Sequence, residues 1–158
     1  MSPAEARPYL RGPDEGEALW VRSNRFTFKA SGDDAGGGFA AVETVLHPVA
    51  AAPAHVHERT DEAFYVIGGE IVVEVGEQRL RGTPGSFGFL PRGIPHRYLP
   101  QAPGPVRVLW LLSPAGFEGF WREVGTPVID GEEPPSPSPP DQVRMAELGR
   151  KYLTDFTG

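Results

Sequence analysis

The 158-residue chain contains no cysteine. Disulfides, thiolate metal ligands and cysteine nucleophiles are therefore excluded. No apolar run reaches the length of about 18 residues that a membrane-spanning helix needs, so no membrane association is expected. Basic residues are the minority charge, 15 against 21 acidic, for a net charge of −6. They form no cluster, so nucleic acid is not an expected partner. The opening "MSPAEARPYLRGPDEG" lacks the basic-then-apolar pattern of an export signal. A cytoplasmic location is the expectation. No internal repeat marks a solenoid or propeller.

Proline and glycine, by contrast, are abundant, at 18 and 20 residues. They punctuate short runs of β-formers, which predicts a turn-rich all-β domain. Residues 1–19 read as an N-terminal arm, and residues 20–125 as one barrel with a following helix. Residues 126–158 read as a Pro-rich linker and a C-terminal helix. Within the barrel, "WVRSNRFTFKA", "FAAVETVL", "AHVH", "EAFYVI", "IVVEVG", "EQRLR" and "PVRVLWLLS" read as strands. "GGE" (68–70) and Gly76–Glu77 read as hairpin turns. "SPAGFEGFWREVG" (113–125) predicts a helix capped by Ser113, with Pro114 in its first turn and Gly125 at its end. Phe117, Phe120, Trp121 and Val124 would form its packing stripe. "EEPPSPSPP" predicts an extended spacer. "DQVRMAELGRKYL" (141–153) predicts a helix capped by Asp141 that docks through Val143, Leu148 and Tyr152.

Two of the four histidines stand in "PAHVHERTDEAFYVIGGE" (53–70). On a strand, His55 and His57 point to the same face. Glu62 opens the next strand among Ala63, Phe64, Tyr65, Val66 and Ile67, where a carboxylate is costly unless paired or bound to a cation. A hairpin through "ERTD" would set it beside the imidazoles. His96 follows the bend "PRGIP", which aims a side chain. Three histidines and one carboxylate suit a divalent transition metal, be it iron, nickel, manganese, cobalt, copper or zinc. An H-x-H pair alone arises by chance on surface strands; the buried-type Glu62 and the fourth ligand at a turn favour metal. His47, before Pro48, reads as exposed. Glu58 and Asp61 read as solvated turn residues or supports of the ligands.

The spacing resembles the cupins. The first cupin motif is matched by His55-x-His57, Glu62 and Gly69, and the second by Gly85, Pro91-Arg92-Gly93 and His96. Val49 stands where the first motif has Gly, and Pro100 where the second has Asn. Neither is a ligand position. Within cupins, "HVHERTDEAFYVIGGE", "PGSFGFLPRGIPH" and "LLSPAGFEGFWREVG" are similar to small single-domain proteins related to quercetin 2,3-dioxygenase. The resemblance implies a single jelly-roll β-barrel of about six to eight strands, with C-terminal helices. It also implies a homodimer, and one metal held by His55, His57, Glu62 and His96. It implies further that Glu62 takes the proton of a substrate hydroxyl.

The function this implies is a metal-dependent dioxygenase cleaving a flavonol or related phenolic with O₂. Two alternatives come from other classes. One is a non-redox metalloenzyme, an isomerase or cyclase of a sugar or polyketide intermediate. The other is a non-catalytic cupin that binds a small molecule. Phe64 and Val66, on the face of Glu62, and Tyr98, on the face of His96, are the candidates for an apolar substrate pocket. Phe87, Phe89 and Trp110 are further aromatics of unassigned face. Arg92 and Arg97 read as surface charge.

Overall fold

A computed structural model describes residues 6–156, so the first five residues of the expected N-terminal arm lie outside it. Alternation in the sequence becomes alternation of faces. β1 (Ala18–Val21) and β2 (Asn24–Ala30) form a hairpin, with Val21 opposite Asn24. Its turn holds Arg22 at φ +58°. That conformation disfavours most side chains. The Arg22 guanidinium is anchored there, donating to the carbonyls of Ser138 and Ala51 at 2.8 and 2.9 Å.

The remaining strands are β3 (Ala40–Leu46), β4 (His55–His57), β5 (Asp61–Gly68), β6 (Ile71–Val75), β7 (Gln78–Gly82), β8 (Phe87–Leu90), β9 (His96–Pro100), β10 (Val106–Ser113), β11 (Thr126–Pro127) and β12 (Thr154–Phe156). They form two antiparallel sheets. The seven-stranded sheet runs β11-β1-β2-β3-β10-β5-β8, and the five-stranded sheet β12-β4-β9-β6-β7. The expected all-β jelly-roll architecture with C-terminal helices is what the chain adopts, with twelve strands among the described residues in place of six to eight.

The core lies between the sheets. Along β10, Val106, Val108, Trp110 and Leu112 point inward and are buried, while Arg107 and Leu111 face out. Inward residues of both sheets meet them, among them Val42, Phe64, Val66, Ile71 and Val73. Burying each such side chain contributes about 1.5–3 kcal/mol. Trp110 also carries a buried N–H, which donates to Thr44 Oγ1 at 2.8 Å. Phe87 and Phe89 lie exposed on the edge strand β8.

Four local expectations are corrected. "GGE" is not a hairpin: β5 and β6 lie in different sheets, and the chain crosses between them at Gly69, φ +75°. β4 and β5 likewise belong to opposite sheets, so "ERTD" is also a crossing. The helix expected from Ser113 begins later, as α1 (Glu118–Val124). Ser113 stays in β10, paired with Asp61, and its hydroxyl donates to Gly38 O instead of capping. In α2 (Gln142–Lys151), Asp141 caps as expected, accepting from the Arg144 N–H at 3.0 Å, but Val143 is 70% exposed. Leu148 and Tyr152 pack on the core as expected, with Met145 taking the place of Val143. Within residues 126–156, β11 extends one sheet and β12 the other. Among the described residues no helix is long and apolar enough to cross a membrane.

Candidate metal centre

His55 and His57 occupy alternate positions of β4 and both face inward. His96 opens β9 as the direct cross-strand partner of His55. Glu62, the second residue of β5, approaches from the opposing sheet. All four are at most 5% exposed. One ligand atom from each lies within 4.8 Å of every other. The sequence-predicted ligand set is thus assembled complete, with the carboxylate reaching across the barrel and not along a hairpin.

The bend before His96 is tied to both neighbouring ligand strands. The Gly93 N–H donates to the His57 carbonyl at 2.8 Å. Asp61 accepts from the Arg92 backbone N–H and from Nε, each at 3.0 Å, and from Nη2 at 2.8 Å. Asp61 is therefore a strand residue and not a turn residue, and Arg92 is paired and not merely a solvated charge. The Arg92 guanidinium and backbone N–H hold the Asp61 carboxyl down at about 2. Arg97 pairs with Glu74 on the outer face. Glu58 is exposed. His47 is half-buried, its backbone N–H donates to Asn24 Oδ1, and it is not part of the cluster.

Hydrogen bonds on the outer side of each ring set the tautomers. His55 Nδ1 lies 3.0 Å from Pro53 O, and His96 Nδ1 lies 3.2 Å from Ile94 O. A carbonyl only accepts, so each Nδ1 carries the proton. His57 Nδ1 lies 2.8 Å from Thr154 Oγ1. That hydroxyl donates to Tyr152 O at 3.3 Å, so it accepts from the imidazole. All three rings thus carry Nδ1–H and turn Nε2 towards the cluster centre, where that of His96 meets Glu62.

Inside the cluster, His57 Nε2 lies 3.2 Å from Glu62 Oε2 but has no hydrogen-bond partner. A lone pair facing a carboxylate in a buried site is unfavourable unless a proton or a cation lies beside them. His96 Nε2 lies 3.1 Å from the same oxygen. With acceptors at both its nitrogens, His96 fits an imidazolium. A metal ion at the centre supplies the same positive charge in place of that proton. Charge follows this logic. Burial, assisted by the neighbouring His96 and His57, depresses His55 to about 3. Burial alone would raise Glu62, but the His57 and His96 rings outweigh it and hold the carboxyl well below its ordinary range. Burial would lower His96, and Glu62 raises it beyond that. The donor set, two imidazoles in one strand plus a third and a carboxylate, fits a divalent transition metal.

A cavity of about 370 Å³ opens onto His55, His57 and Glu62. Trp20, Phe26, Phe117, Trp121 and Tyr98 contribute aromatic walls, and Pro139 and Met145 also line it. Of the expected pocket residues, Tyr98 lines it. Phe64 and Val66 do not; they are buried in the core, Phe64 against Trp110 with ring centroids 5.4 Å apart. Burial, with the Glu62 charge beside it, raises Tyr98 and keeps its hydroxyl protonated. Phe117 lies edge-on to His57, centroids 4.4 Å apart, so an aromatic of the expected packing stripe also touches a ligand. Thr154 and Phe156 are the site residues that sequence reasoning missed. Thr154 stands 97 residues from the histidine it supports, and no motif announces that pairing.

The Cupin domain family model matches residues 42–112, which include all four ligands. No curated protein matches the chain. Among solved structures, KdgF from Halomonas sp. is 23% identical, with a TM-score of 0.63 over 72% of this chain and 99% of its own. A predicted oxalate decarboxylase from Thermotoga maritima is 15% identical, with a TM-score of 0.62 over 66% of this chain and 98% of its own. Pac13, a nucleoside dehydratase of Streptomyces, is 14% identical, with a TM-score of 0.56 over 77% of this chain and 92% of its own. These likenesses show the fold. Residues 42–112 are thus similar to the Cupin domain model, and the two sheets form a jelly roll consistent with that fold.

Proposed function

We propose that the protein is a metal-dependent dioxygenase, similar to quercetin 2,3-dioxygenase, that acts on a flavonol or related phenolic. The observation that carries this reading is the cavity: its aromatic walls lead to a three-histidine, one-glutamate set. An aromatic substrate would stack on those walls with its oxygens toward the ligands. A bound divalent metal would supply a Lewis acid that acidifies a substrate hydroxyl and, if redox-capable, the means to react it with O₂. The chain's own residues then have separate tasks. Glu62, held ionised by its histidine neighbours, is a weak base, so it accepts only a proton already made acidic. Tyr98 stays protonated and offers a hydrogen-bond donor to a substrate oxygen. Phe117, Trp121 and the lining prolines keep bulk water from the reacting end.

The test is O₂ uptake on a flavonol panel by protein loaded separately with iron, manganese, cobalt, nickel, copper or zinc. Uptake with at least one redox-capable metal and not with zinc is expected. Glu62→Gln should lower turnover by roughly 100-fold or more, the scale of a lost general base. A second reading is a non-redox lyase or isomerase. It is favoured by the chemistry that the names of two similar structures state, a decarboxylase and a dehydratase. Anaerobic turnover with zinc would establish that reading over the first.

A further inference from the structure

We propose that Thr154 is a positioning residue for the metal centre, and that through it docking of the C-terminal segment and metal binding are coupled. The inference rests on the metal reading of the site but not on the reaction assigned to it. β12 pairs with the ligand strand β4, placing Thr154 opposite His57 and Phe156 opposite His55. The Thr154 hydroxyl is buried and accepts from His57 Nδ1 at 2.8 Å while donating to Tyr152 O at 3.3 Å. That orientation commits the His57 proton to Nδ1 and leaves Nε2, which has no partner of its own, for the ion. Pro53 and Ile94 do the same for His55 and His96, but each lies within two residues of its histidine. Only His57 depends on a distant segment.

That segment is fitted for close approach. A Cβ at Gly149 would meet Thr154 O at 2.5 Å, and one at Gly119 would meet the Tyr152 ring at 2.7 Å. The Phe156 ring packs against both His55 and Phe120, centroids 5.6 and 5.2 Å away. Displacing β12 would therefore free His57 to rotate and to take the other tautomer. By reciprocity, a bound ion that needs His57 in place must hold β12 in place.

Cobalt(II) affinity, measured by competition with a chromophoric chelator on the full chain, tests this. Thr154→Val keeps the shape and removes the acceptor. It should weaken binding about 10-fold or more, the effect of losing a partner of a ligating imidazole. Thr154→Ser keeps the hydroxyl and should stay within about 3-fold of wild type. In wild type, cobalt should also slow amide exchange across residues 154–156. Equal affinity of the valine variant and wild type would overturn the proposal, as would serine behaving like valine. Should the valine variant fail to fold, the exchange measurement decides: unchanged exchange on cobalt loading overturns the coupling. Failure of wild type to bind cobalt at all would remove the metal reading itself, a result distinct from the others.

Discussion

Each of the four ligand side chains is ordinary in isolation, and the chemistry comes from holding them together out of water. His55 shows the consequence for pH. Its folded value is depressed to about 3 from 6.5, by burial first and by the neighbouring rings second. The unfolded chain therefore binds a proton below pH 6.5 that the folded chain refuses, and stability drops as pH is lowered there. His96 is shifted the other way, so its contribution is full below 6.5 and is lost as pH rises through its raised value. Glu62, lowered from 4.5, adds a further loss below that point. With metal removed by chelator, denaturant-derived stability should peak near pH 6.5. It should decline between 6.5 and 4.5 by roughly 1.4 kcal/mol per pH unit for one uncompensated proton. His55→Asn should flatten that acid limb. A profile level from pH 6.5 to 5 in the unaltered protein would contradict the assignment.

Elements show why some of this was legible beforehand and some was not. His55, His57, Glu62 and His96 could be read from sequence because strand alternation and a Pro-Gly bend are local rules, and each places one side chain. Glu62 joins the expected cluster across the barrel and not along a hairpin, since alternation says which face a residue takes but not which sheet its strand joins. Helix α1 starts at Glu118 because the ladder of β10 retains Ser113, a tertiary effect that capping preference does not contain. Thr154 was invisible for the same reason: β12 exists only because β4 offers it an edge. Gly69 tests the sheet-crossing account. It sits at φ +75°, and a Cβ there would lie 2.9 Å from Pro105 O and 3.0 Å from Val106 Cα. Gly69→Ala should cost about 1–3 kcal/mol, through strain at positive φ and crowding against backbone. Chemical denaturation should show this as a lower midpoint with unchanged slope. An open position at ordinary negative φ would tolerate the change, so a loss under about 0.5 kcal/mol would contradict the strained, crowded crossing geometry.

At the scale of the whole molecule, the ligands are divided between the two sheets: His55, His57 and His96 on one, Glu62 on the other. β4 itself is weakly held, joined to β9 by the single pair His55–His96 and on its other side by the three-residue β12. A bound ion would therefore link the opposed layers at the place where the five-stranded sheet has least pairing of its own. Such an ion binds the folded chain and finds no preformed site in the unfolded one, so its binding free energy adds to stability. At a free metal concentration about 1,000 times the dissociation constant, the gain is about 4 kcal/mol. For a chain of this length that raises Tm by roughly 8–16 °C. Calorimetry with and without cobalt should show the rise, and excess chelator should reverse it. His57→Ala should abolish the shift, because removing one imidazole leaves an incomplete set around a charged Glu62. A rise that persists in His57→Ala would mean that the stabilising ion sits elsewhere, and the two sheets would then be held by packing alone.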